Sequence, residues 1–203
     1  MAVITGIEVN RGRVVVQADG ATIARLPKAH FEKCPLHEGD EIDPERWLGS
    51  VAEAQRADAY EAALTLLDYS ARTAKQLSDA LRLKGYVAPA VVSTVERLRS
   101  AGLIDDARYA QRMAEAQAAK PVGIYSFKRK LMARGISEDD AEEALSRFDD
   151  GQQRDACRAA AQSLWRRYRA LPPREARAKL SQALVRRGFG WESIEAVVDE
   201  FIE

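Results

Sequence analysis

The sequence predicts a mainly α-helical fold, in which three tandem three-helix modules, elongated and solenoid-like, follow a small β-rich N-terminal domain. The main observation is an internal repeat: Gly85, Gly135 and Gly188 each have apolar residues at positions −8, −4, +6, +10 and +13 and a basic residue at −1. The copies are 50 and 53 residues apart, so each has room for a third helix. The first 43 residues differ, with short β-branched runs.

Each copy of the repeat predicts a helical hairpin. Apolar residues four apart before the glycine, and three or four apart after it, give each of two helices one apolar face. Glycine adopts a positive φ without a steric clash, so it suits the position where the first helix ends. The basic residue at −1 faces the negative end of the helix dipole. The predicted core positions are Leu77, Leu81, Val91, Val95 and Leu98; Phe127, Leu131, Ala141, Leu145 and Phe148; and Leu180, Leu184, Ile194, Val198 and Phe201.

The N-terminal region predicts a small antiparallel sheet. Its three longer runs are β-branched and partly alternating, and Asp19-Gly20 is a hairpin turn between the second and third of them. A short helical turn is expected within residues 27–34, before a last short strand at Glu41-Ile42. The predicted longer strands are residues 3–9, 13–18 and 21–26.

Helix boundaries divide the rest of the chain. Asp43-Pro44 is a helix start that predicts a long connecting helix through Leu67, with a bend or break at Gly49-Ser50 as an alternative. Thr73 with Gln76 is a capping box, and Ser137 is the N-cap of an acidic helix. The predicted domains are a β-rich domain at residues 1–43, the connecting helix and first module at 44–104, the second module at 105–150 and the third at 151–203.

Composition indicates a cytoplasmic protein. The chain is 46% hydrophobic and 31% charged, and it contains no apolar run of membrane-spanning or secretory length. The two cysteines, Cys34 and Cys157, are too far apart in the chain to suggest a disulfide framework, which suits a reducing compartment.

Enzyme chemistry is not indicated. The sequence has no glycine-rich phosphate loop, nucleophile elbow, HExxH motif or paired carboxylates, so we expect no catalytic residue and no cofactor. His30, Cys34 and His37 have zinc-ligand chemistry, but a fourth ligand is missing and Pro35 interrupts the local helix. We therefore expect no metal site, and interpret the group as a buried cysteine beside two surface histidines.

Charge is segregated by helix although the net charge is zero. Basic residues concentrate on the first and second helices of the second and third modules, with Phe127, Trp165 and Tyr168 between them, a pattern typical of contact with a phosphate backbone or an acidic protein surface. The candidate partner- or DNA-binding residues are Lys128, Arg129, Lys130, Arg134, Arg166, Arg167, Arg169, Arg174, Arg177, Lys179, Arg186 and Arg187.

The acidic residues limit how DNA could be bound. Five acids in residues 138–143 either complement the helix dipole or face a basic partner, and the spacing leaves both open. They lack the pattern of a calcium loop. A DNA-reading helix-turn-helix would place the second helix of each hairpin in the major groove, but these helices are acidic in the second and third modules. Sequence-specific duplex recognition is therefore disfavoured.

The helical part of the chain, about 150 residues, resembles the RecX family of regulatory proteins, which control the RecA recombinase. The basic positions named above are contact candidates by charge more than by motif match. The β-rich N-terminal region is absent from many members of the family. The motifs that carry the resemblance are Leu67-x-Tyr69-x-x-Arg72-Thr73 leading to Leu77-x3-Leu81-x2-Lys84-Gly85, then Leu98-x3-Gly102-Leu103-Ile104-Asp105-Asp106-x-x-Tyr109-Ala110, and Gly123-x3-Phe127-x3-Leu131-x2-Arg134-Gly135-Ile136.

The resemblance implies a non-enzymatic regulator of homologous recombination, DNA repair and the SOS response. Such a protein would bind the RecA filament on single-stranded DNA and modulate, most often inhibit, its ATPase and strand-exchange activities. We expect a monomer that contacts single-stranded DNA at most non-specifically and has no membrane partner. The alternative is a protein that binds single-strand or duplex DNA backbones directly, without a recombinase partner.

Overall fold

The computed structural model describes residues 1–117 and 120–202. Within these ranges the chain is mainly helical, with a small N-terminal antiparallel sheet, so the predicted fold class is confirmed. Residues 118 and 119 of the predicted second module and Glu203 of the third lie outside the described residues. The chain forms two compact units, Met1–Asp105 and Asp106–Glu203. The division into four predicted domains stays a prediction.

The sheet of the first unit has the strand order β3-β2-β1-β4. Two tight hairpins connect its first three strands: Arg11-Gly12 has φ values of 47° and 78°, and Asp19-Gly20 has φ values of 49° and 79°. Two successive positive φ values are typical of the hairpin turn that matches strand twist. The second hairpin was predicted and the first was not. The strands are β1 (Ala2–Asn10), β2 (Arg13–Ala18), β3 (Ala21–Pro27) and β4 (Glu41–Ile42).

A long helix connects the sheet to the first helical hairpin. Helix α1 (Lys28–Phe31) is short, and α2 runs without interruption from Pro44 to Tyr69, so glycine and serine at positions 49 and 50 do not break it. The Asp43 carboxylate accepts hydrogen bonds from the amides of Glu45 and Arg46 at 3.0 and 3.3 Å, which confirms the predicted cap.

The first hairpin consists of α3 (Ala74–Lys84) and α4 (Ala88–Ser100), and α3 begins with the predicted capping box. One face of the sheet packs against Trp47 and Val51 of α2 and against Ala90 of α4. Gln55 of α2 is fully buried, and its amide donates to the Gly85 carbonyl at 3.1 Å and accepts from the Val87 amide at 2.7 Å. The turn between α3 and α4 is thereby fixed to the long helix.

The second unit contains two further three-helix modules, each with its own core. The second module ends with the Ser137-capped acidic helix, and the third begins with a long helix capped by Asp149. Their helices are α5 (Asp106–Gln117), α6 (Ile124–Ala133), α7 (Glu138–Leu145), α8 (Asp150–Tyr168), α9 (Pro173–Arg186) and α10 (Trp191–Ile202).

The repeat determines the core of every hairpin. Thirteen of the fifteen predicted apolar positions are buried, and the other two, Phe148 and Phe201, pack half-buried against their module's core. Gly85, Gly135 and Gly188 have φ values of 96°, 85° and 84°, as predicted for residues that end a helix.

Candidate interaction surface

The predicted basic residues lie on three helices of the second unit and their ends. Four belong to α6 and its C-terminal end, three lie at the C-terminal end of α8, and five belong to α9 and the residue that follows it. Since successive residues of an α-helix point about 100° apart, neighbouring cations diverge around each helix. Ion pairing then decides which of them are free to bind a partner.

The acidic helix α7 neutralises one predicted contact residue. The Lys128 ammonium donates to Glu138 Oε1 and to Glu142 Oε1, both at 2.7 Å. These two hydrogen bonds raise the pKa of Lys128, and the bond from Lys128 lowers the pKa of the Glu138 carboxyl. Lys128 is therefore part of the hairpin's own charge balance.

Four more candidates have partners inside the second unit. Arg177 of α9 forms an ion pair with Asp199 of α10, and Lys179 pairs with Glu175 at 2.7 Å within α9. Arg187 Nη1 donates to Ser163 Oγ at 3.3 Å. The Arg134 guanidinium lies 3.0 Å from the sulfur of Met113.

Seven candidates are exposed and form no ion pair among residues 1–117 and 120–202. Four of them, Arg166, Arg167, Arg169 and Arg174, lie close together along the chain at the tight connection from α8 to α9, and we call this group the arginine corner. The connection is closed by the Leu171 amide, which donates to the Tyr168 carbonyl at 3.0 Å. The other three are Arg129, Lys130 and Arg186.

The aromatic residues that lie between the basic residues in the sequence pack toward the cores of their modules. Phe127 is only 1% exposed, and Trp165 and Tyr168 pack half-buried against the core of the third module. The Phe127 ring is therefore not available to stack on a base, and the rings of Trp165 and Tyr168 contribute to the core of the third module. The large exposed aromatic residues of the second unit are Tyr125 and Trp191, which are 58% and 63% exposed.

Trp191 opens onto a groove between α9 and α10, which we call the α9–α10 groove. Its volume is about 470 Å³ and most of its lining is apolar. The α9 wall follows one helical stripe, with spacings of three or four residues, and ends at Val185, which is 48% exposed. The lining residues are Arg174, Arg177, Ala178, Ser181, Gln182, Val185, Trp191 and Glu195.

Two sequence positions outside the repeated core pattern distinguish the third module and mark this groove. Val185 and Trp191 occupy positions −3 and +3 from Gly188, outside the five core positions of the repeat. The equivalent positions are Arg82 and Ala88 in the first copy and Met132 and Glu138 in the second. The third copy is thus the one that combines a β-branched and an aromatic residue at these two exposed sites.

The second and third modules meet through backbone contacts. Helix α6 begins with amides that have no partner within the helix, and residues of the third module accept from three of them. Gly123 N donates to the Arg187 carbonyl at 3.2 Å, and Tyr125 N donates to the Gly188 carbonyl at 3.0 Å. Ile124 N donates to the side chain of Gln153 at 3.1 Å. The end of α9 is therefore held against the start of α6.

The structure places His30, Cys34 and His37 in different surroundings. No group of three potential metal ligands occurs in the described ranges. His30 is buried, not on the surface as expected, and its Nε2 lies 2.8 Å from Asp58 Oδ2. This hydrogen bond, with the nearby Lys33 charge, lowers the pKa of the Asp58 carboxyl. Cys34 is half-buried.

Among the helices of the described residues, none has the length and apolar character needed to cross a membrane.

Comparison with known families matches each helical module separately. Residues 59–98, 105–145 and 152–198 match the models of the first, second and third three-helix domains of RecX, respectively. Together these matches cover more than half of the chain.

Individual relatives agree with the family models. A regulatory protein RecX from Limosilactobacillus reuteri is 30% identical over 206 aligned residues, which cover 100% of this chain and 78% of that protein. One from Levilactobacillus brevis is 31% identical over 192 residues, covering 93% and 72%, respectively.

Solved structures extend the likeness to the fold. A crystal structure of a regulatory protein RecX has a TM-score of 0.69 and 28% identity, with 98% of this chain and 100% of that chain covered. The crystal structure of RecX from Lactobacillus salivarius has a TM-score of 0.66 and 27% identity, covering 73% and 97%.

Proposed function

The chain belongs to the RecX family of regulatory proteins, and we propose that it binds the RecA recombinase filament on single-stranded DNA and inhibits its ATPase and strand-exchange activities. The proposal describes a cytoplasmic, monomeric modulator that acts by binding and catalyses no reaction itself. Family membership supports the regulatory role. The choice of RecA as the partner rests on the resemblance to this family. A chain of small helical modules suits this task, since repeated modules expose surface that can contact successive protomers.

We assign the binding surface to the arginine corner. Its four guanidinium groups are exposed and form no ion pair in the described part of the second unit. Arginine offers a planar fork of donors that binds carboxylates and phosphates in pairs of hydrogen bonds. The proposed contact is therefore between this corner and acidic groups on the filament.

The test is reversal of charge at Arg166, Arg167 and Arg169 in the full-length protein. We expect the triple glutamate variant to lose inhibition of the DNA-dependent ATPase of RecA while its far-UV circular dichroism stays unchanged. A matched control is Lys75→Asp with Asp79→Lys, which reverses an exposed ion pair of α3 in the first unit. If the triple variant inhibits as well as the wild type, the corner is not the contact surface.

Direct binding to a DNA backbone is the second candidate, and the exposed cations Arg129, Lys130 and Arg186 favour it. Ionic strength separates the two functions, because each phosphate contact lowers log affinity by about 0.7 to 0.9 per unit of log salt concentration. A regulator that contacts RecA keeps its affinity for the filament at salt concentrations where binding to free oligonucleotide is lost. A direct DNA binder loses both together.

A further inference from the structure

The α9–α10 groove exposes apolar residues that the third module does not need for its own packing. Ile194, Val197 and Val198 of α10 and Leu180 and Leu184 of α9 complete the core of this module. Trp191 and Val185 lie outside that core and remain about half or more exposed. Tryptophan and arginine are among the residue types that contribute most of the binding energy in protein interfaces, and an exposed apolar patch often marks such an interface.

The charges around the groove distinguish between possible occupants. On the α9 wall Arg174 forms no ion pair within the described residues, and the arginine corner continues from it along the chain. On the opposite wall Glu195 also forms no ion pair among those residues. A phosphate backbone lying in the groove would approach the Glu195 carboxylate, and the like charge there would repel it.

A protein segment meets these conditions better than a nucleic acid does. An aliphatic or aromatic side chain can fill the apolar part of the groove, where it would cover Trp191 and Val185. A carboxylate on one side of that segment can reach Arg174 and remain distant from the acidic wall. A groove with one cationic wall and one anionic wall therefore fixes the direction in which the segment lies.

We propose that the α9–α10 groove binds an acidic segment of a protein partner, with one apolar side chain inserted between Trp191 and Val185 and a carboxylate set against Arg174. The proposal rests on the function proposed above, in which the partner is the recombinase filament. It adds a specific apolar anchor to the charged contact, since arginines alone would be screened by salt.

The test compares three full-length variants with the wild type. Trp191→Ala removes the apolar anchor, and Arg174→Glu reverses the unpaired cation. Leu83→Ala is the control because that exposed apolar residue lies in the first unit. The probes are RecA assembled on single-stranded DNA and an oligo-dT strand alone. Affinities are measured at low and moderate salt, with circular dichroism as a check on folding.

We expect Trp191→Ala and Arg174→Glu to weaken filament binding about tenfold or more, as truncation of an interface anchor does, while Leu83→Ala binds like the wild type. Affinity of Trp191→Ala for oligo-dT should not change. Fluorescence of the wild type should shift to the blue on filament binding, since Trp191 would leave water, and the shift should be absent in Trp191→Ala.

Three results would overturn the proposal. Unchanged filament affinity in both variants would show that the groove is unoccupied in the complex. An equal loss of filament and oligo-dT affinity in Trp191→Ala would assign the groove to nucleic acid. A wild-type protein that does not bind the filament at either salt concentration would remove the proposed function as well, which distinguishes that failure from the first two.

Discussion

Replacement of Gly123 by alanine tests the contact that holds the second and third modules together. Gly123 has φ −70° and ψ 148°, values that alanine adopts freely, so backbone strain plays no part. A Cβ atom at this position would lie 2.1 Å from the carbonyl carbon and oxygen of Gly188 and 2.2 Å from the amide nitrogen of Phe189. All three are backbone atoms, so no side chain can rotate away to make room.

The cost follows from the displacement that this Cβ requires. Normal carbon contacts are about 3.5 Å, so the two segments must separate by about 1.4 Å. The backbone hydrogen bonds at 3.2 and 3.0 Å across the junction would then exceed bonding distance. Two such bonds contribute about 1 kcal/mol each, and unsatisfied groups and imperfect repacking add a similar amount. We expect a loss of about 2–4 kcal/mol in the free energy of unfolding.

Urea denaturation of the full-length protein, followed by circular dichroism, measures this loss. Alanine is also a poorer N-cap than glycine, so Gly123→Ser is the matched variant: serine is a good N-cap but carries the same Cβ. Both variants should be destabilised. Gly49→Ala should be neutral or stabilising by up to about 1 kcal/mol, because a Cβ there meets nothing within 4 Å. A Gly123→Ser protein as stable as the wild type would refute the contact.

Three further predictions concern other parts of the chain. Gln55→Leu should lower the free energy of unfolding by about 2–4 kcal/mol, since two buried hydrogen-bond partners lose their amide, and urea denaturation measures it. The lowered pKa of Asp58 means that the hydrogen bond between its carboxylate and His30 stabilises the fold at pH above the unfolded carboxyl pKa, and that this stabilisation is lost as pH falls through the folded value. Between about pH 5 and about pH 3 the wild type should therefore lose more stability than Asp58→Asn; equal losses would contradict the assignment. Burial raises the pKa of the Cys157 thiol to about 11, so a thiol reagent at neutral pH should label Cys34 first and Cys157 only on unfolding, as peptide mass mapping would show.

The helical hairpins could be predicted from sequence because their determinants are local. Apolar residues spaced by three and four, a glycine at the helix end and a capping residue at the helix start act within about fifteen positions of one another. Thr73 and Ser137 cap their helices as predicted. The burial of His30 could not be predicted from local signals, because its hydrogen-bond partner Asp58 lies on another helix.

Contacts between distant segments could not be predicted in this way. Gly123 and Gly188 are far apart in sequence, and their close approach depends on how two complete modules pack. Gln55 lies on the long connecting helix. Its side-chain amide bonds to the backbone of Gly85 and Val87 and so fixes the turn of the first hairpin. Trp165 lies among arginines in the sequence but packs toward the core, since helical periodicity assigns adjacent residues to different faces.

The acidic helices explain why the basic residues of the second unit do not act as one uniform cationic surface. In the second module α7 supplies two carboxylates to Lys128, so the charge of that cation is balanced within the hairpin. In the third module Glu195 of α10 lies on one wall of the α9–α10 groove, and Arg174 and Arg177 lie on the other. A uniformly basic surface would bind any polyanion, and salt would weaken all such binding alike. The Glu195 carboxylate penalises a phosphate backbone at the groove and thereby favours the proposed protein segment, which sets a carboxylate against Arg174 on the other wall.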